Sequence, residues 1–269
     1  MGVGEPLLLL HGFPQTGACW NGVAERLARA HRLLVPDLPG FGRSGRPRAF
    51  DAATVVESLV ALIDTIGVER ATVVGHDWGG SMAFALALAH PERVHRLIVA
   101  NAPFRKLDLK RGFHFLLFNI PVLPEAAFKV AGGRLVPFML RAASARKEVF
   151  ASADAVRPYV EAFRSSDTVS SALGYYRTVT RRVIMQRLPM SRPSAPSGGG
   201  ASALPRRITA PTLIVWGMRD PALPENVLQS IEHDIPQARV VRLGDVGHFV
   251  PDEAPQEFAA AIASFIADA

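Results

Sequence analysis

Two aspartates and a histidine in this 269-residue chain, Asp77, Asp220 and His248, have the side chains needed to make and break an ester. The strongest local pattern is Val73-Val74-Gly75-His76-Asp77-Trp78-Gly79-Gly80, an apolar run followed by G-x-D-x-G-G and then by small residues from Ser81 onward. It is the pattern of a nucleophile elbow, with aspartate where serine often stands. The glycines permit a sharp strand-to-helix turn that lifts Asp77 above a sheet, with the amides of the next helix behind it. A carboxylate so placed can displace a leaving group at a saturated carbon and leave an alkyl ester, which water must then cleave. His248, between Gly247 and Phe249, offers a base for that second step. Asp220, beyond the apolar run Thr212 to Trp216, offers a carboxylate to fix the imidazole tautomer and stabilise the imidazolium. Asp is also common in turns, but the glycines around Asp77 argue against that simpler reading there. No His and carboxylate spacing of the metal-site type lies nearby.

Such residues need rigid elements beneath them. Leu7 to Leu10, Leu33 to Val35, Thr72 to Val74, Leu97 to Ala100, Thr212 to Trp216 and Val240 to Leu243 are short apolar runs that predict buried strands. Trp20 to Ala30, Ala53 to Ile66, Ser81 to Ala89 and Gln256 to Ile266 carry apolar residues at helical spacing. The alternation predicts an α/β fold, a mostly parallel sheet flanked by helices, with its site at the carboxyl ends of the strands. After Asn101 the rhythm stops and resumes near Thr212, too long a gap for a plain loop. Residues 104–205 therefore read as a helical cap inserted into a core domain of 1–103 and 206–269. Short helices are expected within it at Phe113 to Phe118, Ala126 to Ala131, Leu135 to Ala145 and Ala155 to Phe163, and a flexible linker at Pro189 to Ala203.

Composition bounds the partners. Hydrophobic residues make up 49% and charged residues 20%, the balance of a globular protein with a substantial core. The net charge of +6 comes from scattered arginines without a dense basic tract, which argues against nucleic acid. Cys19 is the sole cysteine, so no intrachain disulfide forms and a reducing, cytoplasmic setting fits. No run is long enough for a membrane span, and Leu7 to Leu10 lacks the flanks of a signal peptide. A homo-oligomer is compatible with all of this.

Taken together, His11-Gly12-Phe13-Pro14, Asp37-Leu38-Pro39-Gly40-Phe41-Gly42-Arg43-Ser44, the Asp77 elbow, Gly217-Met218-Arg219-Asp220 and Gly247-His248-Phe249 resemble the epoxide hydrolase and haloalkane dehalogenase branch of the α/β-hydrolase superfamily. The order nucleophile, acid, histidine is that of this fold. The resemblance implies a triad of Asp77, Asp220 and His248, an oxyanion hole from the Phe13 and Trp78 amides, no metal or organic cofactor, and a small apolar substrate with water. His11 and the Asp37 to Ser44 loop are expected to be structural, and His76 a buried support.

Opening an epoxide leaves an alkoxide, so an acid must meet that oxygen from the side opposite the nucleophile, usually in this family a cap tyrosine. Tyr176 matches best, with Tyr175 in reserve. The stretch that often carries a second tyrosine reads Phe113-His114-Phe115-Leu116-Leu117-Phe118, and resemblance to members with a histidine there pairs His114 with Tyr176. Dehalogenation is the competing chemistry. Phe13 stands where haloalkane dehalogenases usually have asparagine, and the tryptophans Trp20, Trp78 and Trp216 all lie outside the cap. Fluoroacetate dehalogenases have an arginine where Trp78 stands, which disfavours a small anionic substrate. A ligand-binding protein of the same fold with little turnover is a third reading. The family usually places two antiparallel strands before the His-Gly motif; here they are expected to be missing, leaving a sheet edge open to pairing.

Overall fold

A computed structural model describes residues 2–105, 113–187 and 207–268, apart from the side chains of residues 113, 114, 186 and 187. The first part of the chain runs β1 (Glu5–Leu10), α1 (Asn21–Leu27), β2 (His31–Leu34), α2 (Ala52–Thr65), β3 (Ala71–His76), α3 (Trp78–Ala89) and β4 (Val94–Ala100). Four helices follow, α4 (Phe113–Asn119), α5 (Leu123–Ala143), α6 (Ala153–Ala162) and α7 (Ser166–Arg187). The chain then returns through β5 (Thr212–Gly217), α8 (Glu225–Asp234), β6 (Arg239–Leu243), α9 (Val250–Glu253) and α10 (Pro255–Asp268).

All six expected strands form, in one sheet of order β2-β1-β3-β4-β5-β6 with every pairing parallel. Leu7 to Leu10 and Leu97 to Ala100 are fully buried, because helices cover both faces and leave no solvent side for polar residues. Among the described residues no antiparallel strand precedes β1, so β2, with the exposed Arg32, is one edge.

Helix ends follow local chemistry. Asp51 caps α2 by accepting from the Thr54 amide at 3.0 Å, and Ser152 caps α6 through the Ala155 amide at 3.1 Å. Three expectations change. The helix expected over Trp20 to Ala30 is a short 3₁₀ turn (Gly17–Trp20) followed by α1, because the chain must turn after Leu27 to enter β2 at His31. Ala126 to Ala131 and Leu135 to Ala145 belong to the single helix α5, which runs through Gly132, Gly133 and Pro137. Its buried face of Phe128, Val136, Pro137 and Leu140 outweighs those breakers. Finally, α7 and α8 were not expected; on α7 the buried Val169, Ala172, Leu173 and Tyr176 stand at helical spacing, masked by the Ser and Thr between them. The linker expected at Pro189 to Ala203 lies outside the described residues.

Candidate active site

Five strand ends converge on one point. β1 leads into Phe13, β3 into Asp77, β4 into Asn101, β5 into Asp220 and β6 into His248. Asp77 opens α3 with φ 51° and ψ −119°, a left-handed conformation for a non-glycine residue of the kind found where a side chain must be held in a fixed place. The turn is tight enough to need glycine around it. A Cβ on Gly79 would lie 2.1 Å from the Leu10 carbonyl oxygen, and one on Gly12 would lie 2.3 Å from the Cβ of Asp77.

The three predicted triad residues meet. His248 Nδ1 lies 2.6 Å from Asp220 Oδ2, and His248 Nε2 lies 3.5 Å from Asp77 Oδ2. The Phe13 amide donates to Asp77 Oδ1 at 2.8 Å, so one expected oxyanion donor already faces that carboxylate. The Trp78 amide is the first of α3, among the helix-start donors left without a partner inside the helix.

Burial works against the charge on Asp77, but the hydrogen bond and charge of His248, together with the Phe13 amide, hold its pKa below the usual carboxylate value. Burial likewise opposes a protonated His248; Asp220 and Asp77 overcome it and raise its pKa to about 10. The resting pair is thus an imidazolium beside a carboxylate. Without the Asp77 charge the imidazolium would lose a partner and release its proton more easily.

His76 lies 5.0 Å from His248, ring centre to ring centre, and its Nδ1 is 3.2 Å from the Ala100 carbonyl. Burial, with His248 nearby, depresses its pKa to about 3, so it stays neutral and packs against His248. His11 is fully buried and accepts from the Leu38 amide at 2.9 Å through Nε2. Asp37 accepts from the Gly17 and Arg43 amides at 2.8 and 2.9 Å, so that loop is held by its own carboxylate.

The two tyrosines part ways. The Tyr175 hydroxyl donates to the Pro39 carbonyl at 3.0 Å. Tyr176 turns toward the site, its ring 5.1 Å from Trp78 and 5.3 Å from Phe13. Burial and then the charge of Asp77 push its hydroxyl pKa well above the ordinary phenol value, and the Trp78 side chain eases the rise. Phe115 and Phe118 each pack edge-on to Tyr176 at 4.9 Å, and Phe163 edge-on to Phe13 at 5.4 Å, so the wall facing Asp77 is aromatic. His114 lies on α4, but its side chain is outside the described residues.

Sequence reasoning missed Asn101. Fully buried at φ 37°, it donates through Nδ2 to Asp220 Oδ2 at 2.7 Å and accepts from the Gly217 amide at 2.7 Å. The Ala222 and Leu223 amides complete the set by donating to Asp220 Oδ1 at 2.7 and 3.0 Å. Its position directly after a predicted strand was the available signal. Among the described residues no cluster of His, Cys, Asp and Glu could hold a metal ion, and no helix is long and apolar enough to cross a membrane.

A parallel sheet that gathers an aspartate elbow, an acid and a histidine at its strand ends defines a class. The family described as alpha/beta hydrolase fold matches residues 5–255, and the chain belongs to it, as an enzyme of the hydrolase superfamily. Within that family the chain is similar to epoxide hydrolase 4 of Mus musculus, 26% identical over 234 residues, which are 81% of this chain and 60% of that protein. It is also similar to haloalkane dehalogenase 2 of Mycobacterium tuberculosis, 29% identical over 274 residues, which are 97% of this chain and 87% of that one. Among solved structures, one described under novel epoxide hydrolases in metagenomes from hot environments is 30% identical, with a TM-score of 0.68 over 98% of this chain and 92% of its own.

Proposed function

We propose that this hydrolase converts an epoxide to a vicinal diol through an alkyl ester on Asp77. Asp77 attacks a ring carbon, the C–O bond breaks, and Tyr176 gives its proton to the leaving oxygen. His248, its imidazolium proton passed through solvent to the Tyr176 phenolate once Asp77 carries no charge, then takes a proton from water as the water oxygen adds to the ester carbonyl. The amides of Phe13 and Trp78 hold the resulting oxyanion, and its collapse expels the diol oxygen, which takes the proton of the added hydroxyl, and restores the carboxylate beside the imidazolium. Asp220 holds the imidazole throughout.

The observation that carries this reading is the pairing of His248 Nε2 with Asp77 Oδ2 at 3.5 Å, with Tyr176 close enough for the charge of Asp77 to perturb its hydroxyl. Residues 104–205 act as a cap over a core of 1–103 and 206–269, bringing Tyr176 and, in this reading, His114 to the leaving oxygen. The aromatic wall suits a small apolar substrate, and the single buried cysteine suits the cytoplasm.

Hydrolytic dehalogenation is the second reading, favoured by the Trp78 indole beside Tyr176 and by the dehalogenase relative. The test is mass spectrometry of His248→Gln in ¹⁸O water with styrene oxide and with 1-bromobutane. An adduct on Asp77 from the epoxide alone is expected. An adduct from the bromoalkane alone moves the protein to dehalogenation, and none from either, in a folded protein, leaves a ligand-binding role.

A further inference from the structure

We propose that Glu253 is the residue that positions His248, and that it does so by clamping the histidine loop to the end of α5. The proposal rests on the two-step reading above, in which His248 serves ester hydrolysis and not ester formation.

Glu253 closes α9 and is only 3% exposed. Its Oε2 accepts from the Gly247, Ala145 and Arg146 amides, each at 2.9 Å, and its Oε1 accepts from the Phe249 amide at 3.0 Å. Both amides flanking His248 therefore end on one carboxylate, and the same carboxylate holds two amides just beyond α5. The His248 amide itself donates to the Ala143 carbonyl at 2.9 Å, the last residue of that helix. Arg146 reinforces the joint, donating through Nη1 to the Glu253 carbonyl at 2.8 Å and through Nη2 to Asp245 at 2.9 Å.

Four amide donors on a buried carboxylate are charge-assisted hydrogen bonds, and removing the acceptor leaves the donors unsatisfied. Glu253 acts through the backbone: it fixes where the loop places the imidazole between Asp220 and Asp77. The inserted helices thereby hold the base as well as the wall opposite the nucleophile. A seated insertion and a seated base become one condition.

The test is Glu253→Gln, which keeps the shape but turns an NH₂ group toward amide donors. With styrene oxide, rapid-quench mass spectrometry should show adduct formation on Asp77 within about threefold of wild type, and adduct decay slower by about tenfold or more. Independently of any substrate, the proton resonance of the His248 Nδ1 to Asp220 hydrogen bond should be sharp in wild type and broadened in the variant. Equal slowing of both steps, or unchanged decay with a sharp resonance, overturns the proposal. If wild type forms no adduct, the mechanism above fails and the resonance alone decides the positioning role. If the variant does not fold, Arg146→Ala, which cuts only the reinforcing bonds, should slow decay by about threefold and leave formation unchanged; decay at the wild-type rate with a sharp resonance would overturn the clamp.

Discussion

The two sides of the site are built differently. On the sheet side, Phe13, Asp77, Asn101, Asp220 and His248 each follow a strand, and directional hydrogen bonds fix the key carboxylates and the imidazole within a few ångströms. On the other side, inserted helices present rings, Phe115, Phe118, Phe163 and Tyr176, packed by edge-on contacts. Those helices also leave apolar residues outside, with Leu123 55% and Val130 87% exposed. Hydrogen bonds at strand ends specify geometry to within a fraction of an ångström, whereas rings in contact specify mainly shape and polarity. In the proposed mechanism, ester chemistry falls to the sheet and the choice of leaving group to the helices.

Substitutions should separate these assignments. Asp77→Ala is expected to abolish adduct formation and lower turnover by about 10⁴-fold or more, since the carboxylate that forms the ester is removed; turnover within tenfold of wild type would remove the sheet side from the chemistry. Tyr176→Phe should slow ring opening by about 10²- to 10³-fold while hydrolysis of a preformed ester stays within about threefold, the mark of a general acid acting in one step only. Equal loss in both steps would make Tyr176 a packing residue. For Asn101→Ala, one hydrogen bond to the Asp220 carboxylate is lost and the Gly217 amide is left without its acceptor. A loss of about tenfold in ester hydrolysis is expected, measured as adduct lifetime, with formation little changed.

Legibility follows the same division. The strands, the elbow and the order of acid and histidine could all be read because parallel strands are continuous apolar runs and because the elbow demands glycine. Asn101 stood at a flagged position, yet an asparagine after a strand carries no signal until the acid it holds has been located in space. The sequence of α5 reads as two helices because Gly132, Gly133 and Pro137 weigh locally, while the burial that overrides them is tertiary. Between Tyr175 and Tyr176 geometry offers no choice at the level of sequence, since adjacent helical residues point about 100° apart and only packing decides which faces Asp77. Glu253 carries no pattern of its own; its four donors come from two segments about a hundred residues apart in the chain.

Electrostatics tests the joint on the sheet side. In Asp77→Asn the anion facing His248 is gone, so the imidazole pKa should fall from about 10, read from the pH titration of its ring protons. A value that stays near 10 would mean that Asp220 alone holds the charge, and that esterifying Asp77 does not free the base.

The seam between the two sides carries one more titrating group. Asp252 accepts from the Tyr159 hydroxyl of α6 at 2.9 Å and from Gln15 Nε2, beside the Phe13 loop, at 2.5 Å. Burial, against those two donors and with Glu253 next to it, raises its pKa to about 7. An unfolded aspartate titrates near about 4, so between the two values the folded state binds more protons. Stability from this group is therefore present at acid pH and is lost as the pH rises from about 4 through about 7. Asp252→Asn removes that dependence while keeping a side chain able to bond both partners, because the amide can accept from one and donate to the tyrosine oxygen. Between pH 5 and pH 8 the melting temperature of wild type should fall by about 5 °C more than that of the variant. The loss expected from His248, whose raised pKa stabilises the fold below about 6.5 and fades as the pH rises through about 10, is common to both proteins and cancels in the difference. Parallel melting curves across that range would show that Asp252 is ionised throughout and that the seam is held by a charged pair of hydrogen bonds.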